Sequence, residues 1–290
     1  MWATSLCEYG RIRRVALRRP EQSFVDQKHL DAQWQRLKYI GRPDFAAAKS
    51  QYEGLVALLR KQGSDIDFLP AGPALTIDSI YVRDATIVGP KGIILCKMGK
   101  PDRRGEPALA SAAFRGLGLP VAGAIDGEGM LEGGDLVWFD ERTLAVGRSY
   151  RTNDEGIRQL RALVGPKVEV VVADMPHYRG PADVFHLMSV LSPIDRDLAL
   201  VYSPLMPIRF RDWLLGRGMR LVEVPEAEFD SMGCNVLATA PRRCIMLKGN
   251  PATRDALRAA GAEVTEIAGD DISGKGQGGP TCLTRPLLRA

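Results

Sequence analysis

Residues 134–174 read GDLVWFDERTLAVGRSYRTNDEGIRQLRALVGPKVEVVVAD, and the order of segments in this stretch decides the fold. DLVWFD is β-rich, ERT turns, LAVGRSY is a second strand, DEGIRQLRALV has helical spacing and VEVVVAD is a third strand. Working outward, the same order recurs. From His186 it runs HLMSVLSPIDRDLALVYSPL, then RFRDWLLGRG, then MRLVEVPE. From Gly233 it runs CNVLATAPRRCIMLKGN, then the helix PATRDALRAAG with proline in its first turn, then AEVTEIAGD. Upstream, SIYVRDATIVGPKGIILCKMGK, GEPALASAAFRGLG and LPVAGAID make a fourth copy. RIRRVALRRP, QYEGLVALLRKQG and SDIDFLP make a looser fifth around an insertion at residues 21–45. The period is about 48 residues.

One such unit has too little apolar surface to stand alone, so the copies must pack against one another. A closed ring removes exposed strand edges, and neither end of the chain shows a polar capping repeat. The sequence therefore predicts an α/β fold of five ββαβ units closed into a ring, one domain over residues 1–290. Two parallel-sheet domains would show similar alternation, but no linker separates them.

Composition bounds the partners. The 290 residues are 45% hydrophobic and 26% charged, which is ordinary globular composition. The formal charge is +4, with arginines scattered among carboxylates, so no basic stripe points to nucleic acid or an anionic membrane. MWATSLCEYGRIRRV lacks the apolar core of a secretory signal, and no run approaches the roughly 20 apolar residues of a membrane span, so a cytoplasmic protein is expected. Five cysteines, at 7, 96, 234, 244 and 282, are an odd number without CxxC spacing, which argues against a disulfide framework and a structural zinc site. The sequence is compatible with a homodimer and does not require one.

The repeats make positions comparable. Near the start of a unit's first strand stand Asp78 and Asp84 in DSIYVRD, Glu132 and Asp135 in EGGD, His186 in FHLMS, and GCN at 233–235; Cys282 follows the last recognisable strand, in GKGQGGPTCLTRPL. Ring closure brings equivalent positions together around the axis. A thiol beside an imidazolium or a cationic ligand is an activated nucleophile, and the same histidine can give and take protons. Clustered carboxylates repel unless a cation lies between them, and a planar guanidinium matches them in bidentate pairs, which makes Asp78, Asp84 and Asp135 expected substrate ligands. EGGD reads equally as a tight turn with glycines at positive φ. Cys7, Cys96 and Cys244 lie in apolar or strand-like surroundings and read as inert; His29 and His177 read as surface or structural.

Together DSIYVRD, LEGGD, GRSYRTNDEG, FHL, GCNVLA and GGPTCLTRPL resemble the guanidine-modifying superfamily that contains arginine deiminase, dimethylarginine dimethylaminohydrolase and the amidinotransferases, over Gly10 to Arg289. The resemblance implies a five-bladed α/β propeller (pentein) and hydrolysis of a guanidino amino acid with no metal or cofactor. It implies Cys282 as nucleophile, His186 as acid and base, Glu132 and Asp84 on the guanidinium, and Asp78 as a further acidic site position. Arg103 (or Arg104) and Arg151 match arginines that hold the substrate's α-carboxylate. Deiminases and amidinotransferases carry an aspartate two residues after the histidine; here Met188 stands there, which favours a methylated guanidine. Arg83 in VRD and the C-terminal run look more like arginine deiminase. The insertion at 21–45 is expected to cover the site or pack on its rim, and glycines 274–279 to form a loop that closes on substrate.

Overall fold

The computed structural model describes residues 4–183 and 185–290; the first three residues of the N-terminal stretch read for a signal lie outside it. β1 (Ile12–Leu17) and β2 (Asp65–Phe68) are joined through the helix Phe45–Lys61. β3 (Thr86–Gly89), β4 (Gly92–Leu95) and β5 (Val121–Ala124) come next, then β6 (Leu136–Asp140), β7 (Thr143–Arg148) and β8 (Glu169–Asp174). β9 (Leu191–Asp195), β10 (Leu198–Val201) and β11 (Arg220–Glu223) follow, then β12 (Leu237–Ala240), β13 (Arg243–Leu247) and β14 (Glu263–Ile267), and β15 (Arg285–Arg289). They form five three-stranded sheets, the five blades of an α/β propeller.

Each blade obeys one rule. Its middle strand pairs antiparallel with the strand before it and parallel with the strand after it, as β7 does with β6 and β8. A parallel pair needs a crossover, and a helix supplies it, here Asp154–Val164. That helix buries Ile157, Leu160 and Val164, spaced to face one side, against the sheet. Middle strands are covered on both faces; Leu198, Ala199, Leu200 and Val201 of β10 are all fully buried.

The first blade is assembled from both ends of the chain. β1 is its middle strand, parallel to β2, and the preceding antiparallel partner is β15, with Val15 opposite Pro286 and Ala16 opposite Arg285. This corrects the reading that Cys282 follows the last strand: one more strand follows it. The opening copy looked loose because its first strand lies at the C-terminus. RPLLR hides as a strand because its arginines break the apolar pattern and its proline, which lacks the N–H for a ladder bond, is tolerated only at an edge, where β15 lies.

Three buried arginines meet near the axis around one acid. Arg83 Nη1 lies 3.0 Å and Arg289 Nη2 3.8 Å from Glu8 Oε2. Burial alone would raise the Glu8 carboxyl, but the charges of Arg83, Arg289 and Arg285 hold it below its usual range. Arg83 also donates from Nε to Thr281 O and from its main chain to Cys282 O, so the N-terminal segment, the second blade and the C-terminal turn are tied at one point. Glu8→Ala leaves two guanidinium groups buried without their acid; urea unfolding is expected to show a loss of about 3–5 kcal/mol, and Glu8→Gln a smaller one. Among the described residues no helix is long and apolar enough to cross a membrane.

Candidate active site

The segment entering the first strand of every blade runs at the axis, and each contributes a polar side chain. Asp84 precedes β3, Glu132 precedes β6, His186 precedes β9, Asn235 precedes β12 and Cys282 precedes β15. Asp78, Asp84, Arg103, Arg151, His186 and Cys282 line one cavity together with Tyr81 and Lys100.

Glu132 and His186 are the most tightly held pair. Glu132 Oε2 lies 2.8 Å from His186 Nε2, while Oε1 accepts from Lys100 N at 3.1 Å and lies 3.4 Å from Arg151 Nη1. Thr152 and Asn153 fix the approach: Glu132 N donates to Thr152 Oγ1, and Asn153 Oδ1 takes both Met130 N and Gly156 N at 2.9 Å. A Cβ at position 156 would stand 2.0 Å from the Met130 carbonyl oxygen, so TNDEG must carry glycine there. EGGD is a single 3₁₀ turn, and its glycines are not at positive φ. They are glycines because of close approach: a Cβ on Gly134 would meet His186 Nδ1 at 2.4 Å.

Burial opposes charging either partner, yet both are charged. Around His186 the carboxylates of Asp135, Asp84 and Glu132 outweigh desolvation and push the imidazole up to about 9. At Glu132 the hydrogen bond and charge of His186, with Arg151 and Arg103, overcome desolvation and bring the carboxyl down to about 2.

The remaining acids are held by cations of the protein itself. Arg103 Nη1 lies 2.5 Å from Asp84 Oδ2, its Nε and Nη2 grip Glu106 at 2.7 and 2.9 Å, and Nη2 also donates to Tyr81 O. Desolvation would lower Arg103, but Glu106 and Asp84 raise it. Asp84 Oδ1 is buried without a hydrogen-bond partner, 4.0 Å from His186 Nδ1. Lys100 Nζ lies 2.5 Å from Asp78 Oδ2. Arg104, the alternative to Arg103, is exposed. Asp135 departs from the expectation of a substrate ligand: its oxygens accept from Ser149 Oγ at 2.7 Å and Leu187 N at 3.0 Å, which fixes the backbone beside His186.

Of the five cysteines only Cys282 retains exposure. Burial still pushes its thiol up to about 11, and the charge of Asp84 adds to this, against the Asn235 hydrogen bond and the Arg83 guanidinium. Asn235 Nδ2 lies 3.2 Å from Cys282 Sγ, and Asn235 Oδ1 accepts from Thr281 N at 3.0 Å. Burial, with the charge of Glu263 adding to it, pushes Cys244 up to about 12. His177 is exposed and bonded to Tyr150, and His29 to Gln33.

Part of the insertion covers the site. Leu37 and Lys38 line the cavity, Lys100 Nζ donates to Leu37 O, and Arg36 pairs with Asp102. Gly276 and Gly278 lie against the Tyr81 ring, where any Cβ would stand within 2.5 Å of it, and Ile40 N donates to Lys275 O. The two covering segments are thus joined.

A sequence profile of the family described as "N,N dimethylarginine dimethylhydrolase, eukaryotic" matches residues 32–289. The chain belongs to the dimethylarginine dimethylaminohydrolase family. It is 30% identical to the uncharacterized protein YkgA of Bacillus subtilis over 288 residues, covering 97% of this chain and 94% of that one. It is 25% identical to the N(G),N(G)-dimethylarginine dimethylaminohydrolase of Pseudomonas aeruginosa, over 94% of this chain and 98% of that one. A crystal structure of that Pseudomonas enzyme, a cysteine-to-serine mutant complexed with citrulline, aligns with a TM-score of 0.73 at 24% identity, over 97% of this chain and 100% of the other. An arginine deiminase of Listeria welshimeri is 27% identical over 72% of this chain and 61% of its own length.

In this member of the dimethylarginine dimethylaminohydrolase family, sequence reasoning missed Lys100, Glu106, Thr152 and the role of Asn235. GCN was quoted as a site motif, but an asparagine has no titratable group to draw notice. Asp84, Glu132 and His186 hold donor atoms within 4.8 Å of one another, the spacing of a metal site. The guanidinium groups of Arg103 and Arg151 and a charged imidazole surround that point, and they oppose a divalent cation.

The pair sets a pH window. Glu132, lowered, adds stability above about 4.5 that is lost towards about 2; His186, raised, adds stability below 6.5 that is lost as pH rises through about 9. The Tm difference between parent and Glu132→Gln is therefore expected to be largest between about pH 4.5 and 6.5 and to shrink beyond about 9. A ¹⁵N titration of His186 is expected to give a midpoint near 9 in the parent and a lower one in Glu132→Gln.

Proposed function

We propose that the protein hydrolyses an Nω-methylated arginine to citrulline and methylamine or dimethylamine, with all five blades forming one catalytic domain. The observation that carries this reading is the shared cavity: a half-exposed thiol, a charged imidazole and acids with an unpartnered carboxylate oxygen, in a chain of this family. The substrate guanidinium engages Asp78, taking the place that Lys100 holds, and the unpartnered oxygen of Asp84. Arg151, Arg103 and the released Lys100 then stand ready for the α-carboxylate.

The thiol is neutral in the free protein, so the substrate's own charge activates it: a cation beside Sγ lowers the pKa and the proton leaves to solvent. The thiolate adds to the guanidinium carbon and forms the C–S bond. His186, charged at neutral pH, gives its proton to the methylated nitrogen as the C–N bond breaks. A thiouronium remains on Cys282. Water then attacks the same carbon and His186 takes one of its protons; the C–S bond breaks with its electron pair on sulfur, and the second proton passes to that sulfur, which releases citrulline and restores the neutral thiol. Glu132 holds His186 in place for both transfers, and Asn235 holds the sulfur.

Met188 carries the preference for methylated substrates, since it is buried beside His186 and offers no acceptor to an unmethylated N–H. A second reading, hydrolysis of arginine to citrulline and ammonia, is favoured by Arg83 in VRD and by the C-terminal motif.

Incubation with dimethylarginine, monomethylarginine and arginine, with mass-spectrometric identification of the released amine, separates the two. Dimethylamine and citrulline are expected; ammonia from arginine alone supports the second reading. Cys282→Ser is expected to abolish turnover and His186→Ala to lower kcat by roughly 10²–10⁴. Met188→Asp is expected to raise the preference for arginine over dimethylarginine by roughly 10–100-fold. Alkylation of Cys282 by iodoacetamide is expected to follow an apparent pKa near 11 in the free protein, moving down when a non-reacting cationic guanidine is bound.

A further inference from the structure

A second cavity opens from the same reacting groups. It shares Asp183, His186, Gln277 and Cys282 with the charged cavity but is walled by Tyr178, Phe185, Met188, Phe229 and Met232. The sulfur and the imidazole therefore stand at the junction of two chambers of opposite character. One holds the acids, Lys100, Arg103 and Arg151; the other is aromatic and apolar.

The aromatic wall is built, not incidental. Tyr178 lies 5.5 Å from Phe185 and 6.1 Å from Phe229, ring centre to ring centre, and Phe229 stacks on Tyr202 at 3.9 Å. The turn that carries Phe229 and Met232 is anchored by Glu228, whose carboxylate accepts from Ala252 N and Thr253 N at 2.8 Å each. At the rim, Arg179 grips both oxygens of Asp230 at 2.9 and 2.8 Å and lies 4.9 Å over the Tyr178 ring. This clasp joins the loop before His186 to the turn that bears Phe229.

An arginine-type substrate is linear, with its ionised amino-acid end at one extreme and its Nω substituent at the other. If the ionised end takes the charged chamber and the guanidinium carbon faces Sγ, the substituent enters the aromatic one. Methyl groups are too small to reach three rings. We propose that this chamber receives an Nω substituent larger than methyl, a butyl or benzyl group, and that the protein hydrolyses such arginines with a kcat/KM above that for monomethylarginine. The inference rests on the proposed function and uses the same steps: the C–N bond to the substituted nitrogen breaks, His186 supplies its proton, and water supplies the citrulline oxygen. Each added methylene placed against the wall is expected to raise kcat/KM roughly fourfold until the chamber is filled.

The test is a competition among Nω-methyl-, Nω-butyl- and Nω-benzyl-L-arginine, with citrulline and the released amine quantified together. Butyl and benzyl substrates are expected to exceed methyl by roughly fivefold or more. Phe229→Ala and Tyr178→Ala are each expected to lower the benzyl-to-methyl ratio of kcat/KM by roughly tenfold, a ratio that a general loss of folded enzyme does not move. Turnover of methyl substrates with butyl and benzyl both at or below the methyl kcat/KM overturns this inference and leaves the proposed function standing. Turnover of benzyl with none of methyl supports the chamber and removes the methylated substrate. Failure of all three, together with no calorimetric binding of benzylarginine to Cys282→Ser, overturns both.

Discussion

The antiparallel pairing of β15 with β1 is the constraint on which the structure turns. Four blades are contiguous in sequence; the first is complete only when the C-terminal strand returns to the N-terminal one. That return carries Cys282 to the axis at the position that Asp84, Glu132, His186 and Asn235 occupy in the other blades. The site is therefore a property of the ring and not of any local motif. Glu8, Arg83 and the residues around Thr281 fasten the same seam from within, since removing one charge there strands the others.

Charge pairing inside the cavity follows one pattern. Each acid is matched by a cation from the chain: Asp78 by Lys100, Asp84 by Arg103, Glu132 by His186. A buried carboxylate without such a partner carries a large desolvation cost. The pairs differ in how completely each partner is engaged. Glu132 and His186 are enclosed by further hydrogen bonds, whereas Asp84 keeps one oxygen without a partner and Lys100 is a single flexible ammonium. Lys100 is thus the cation held least, whereas Arg103 is fastened at once to Asp84, Glu106 and Tyr81 O, so the open contacts of the cavity are Asp78 and the unpartnered oxygen of Asp84.

The propeller was legible in the sequence because period and alternation survive in four copies, and the fifth was partly read through RIRRVALRRP and SDIDFLP. The missing piece, RPLLR, was opaque because proline and arginine mask strand character that only its partner supplies. Among site residues, those with titratable groups at equivalent repeat positions were found. Asp135 shares that origin: it stands three residues after Glu132 across a tight turn, its carboxylate lies behind the histidine on Ser149 Oγ and Leu187 N, and periodicity does not resolve side-chain direction within a turn. Thr152 was invisible because its role depends on contact with the separate segment at Glu132, and Glu106 because its pairing with Arg103 three residues earlier looks like an ordinary solvent-side pair at a helix start. The double glycine of EGGD was read as conformational freedom, and it is instead clearance for an imidazole.

The late position of the nucleophile has a consequence for biosynthesis. During translation the acids and the imidazole emerge well before Cys282, but until β15 pairs with β1 the first blade is incomplete and the ring that gathers them is open. The thiol reaches them only with the final strand, in the same event that seals the barrel of blades. A chain that stops before β15 therefore lacks the thiol and the ring closure together, so neither half of the site can form without the other.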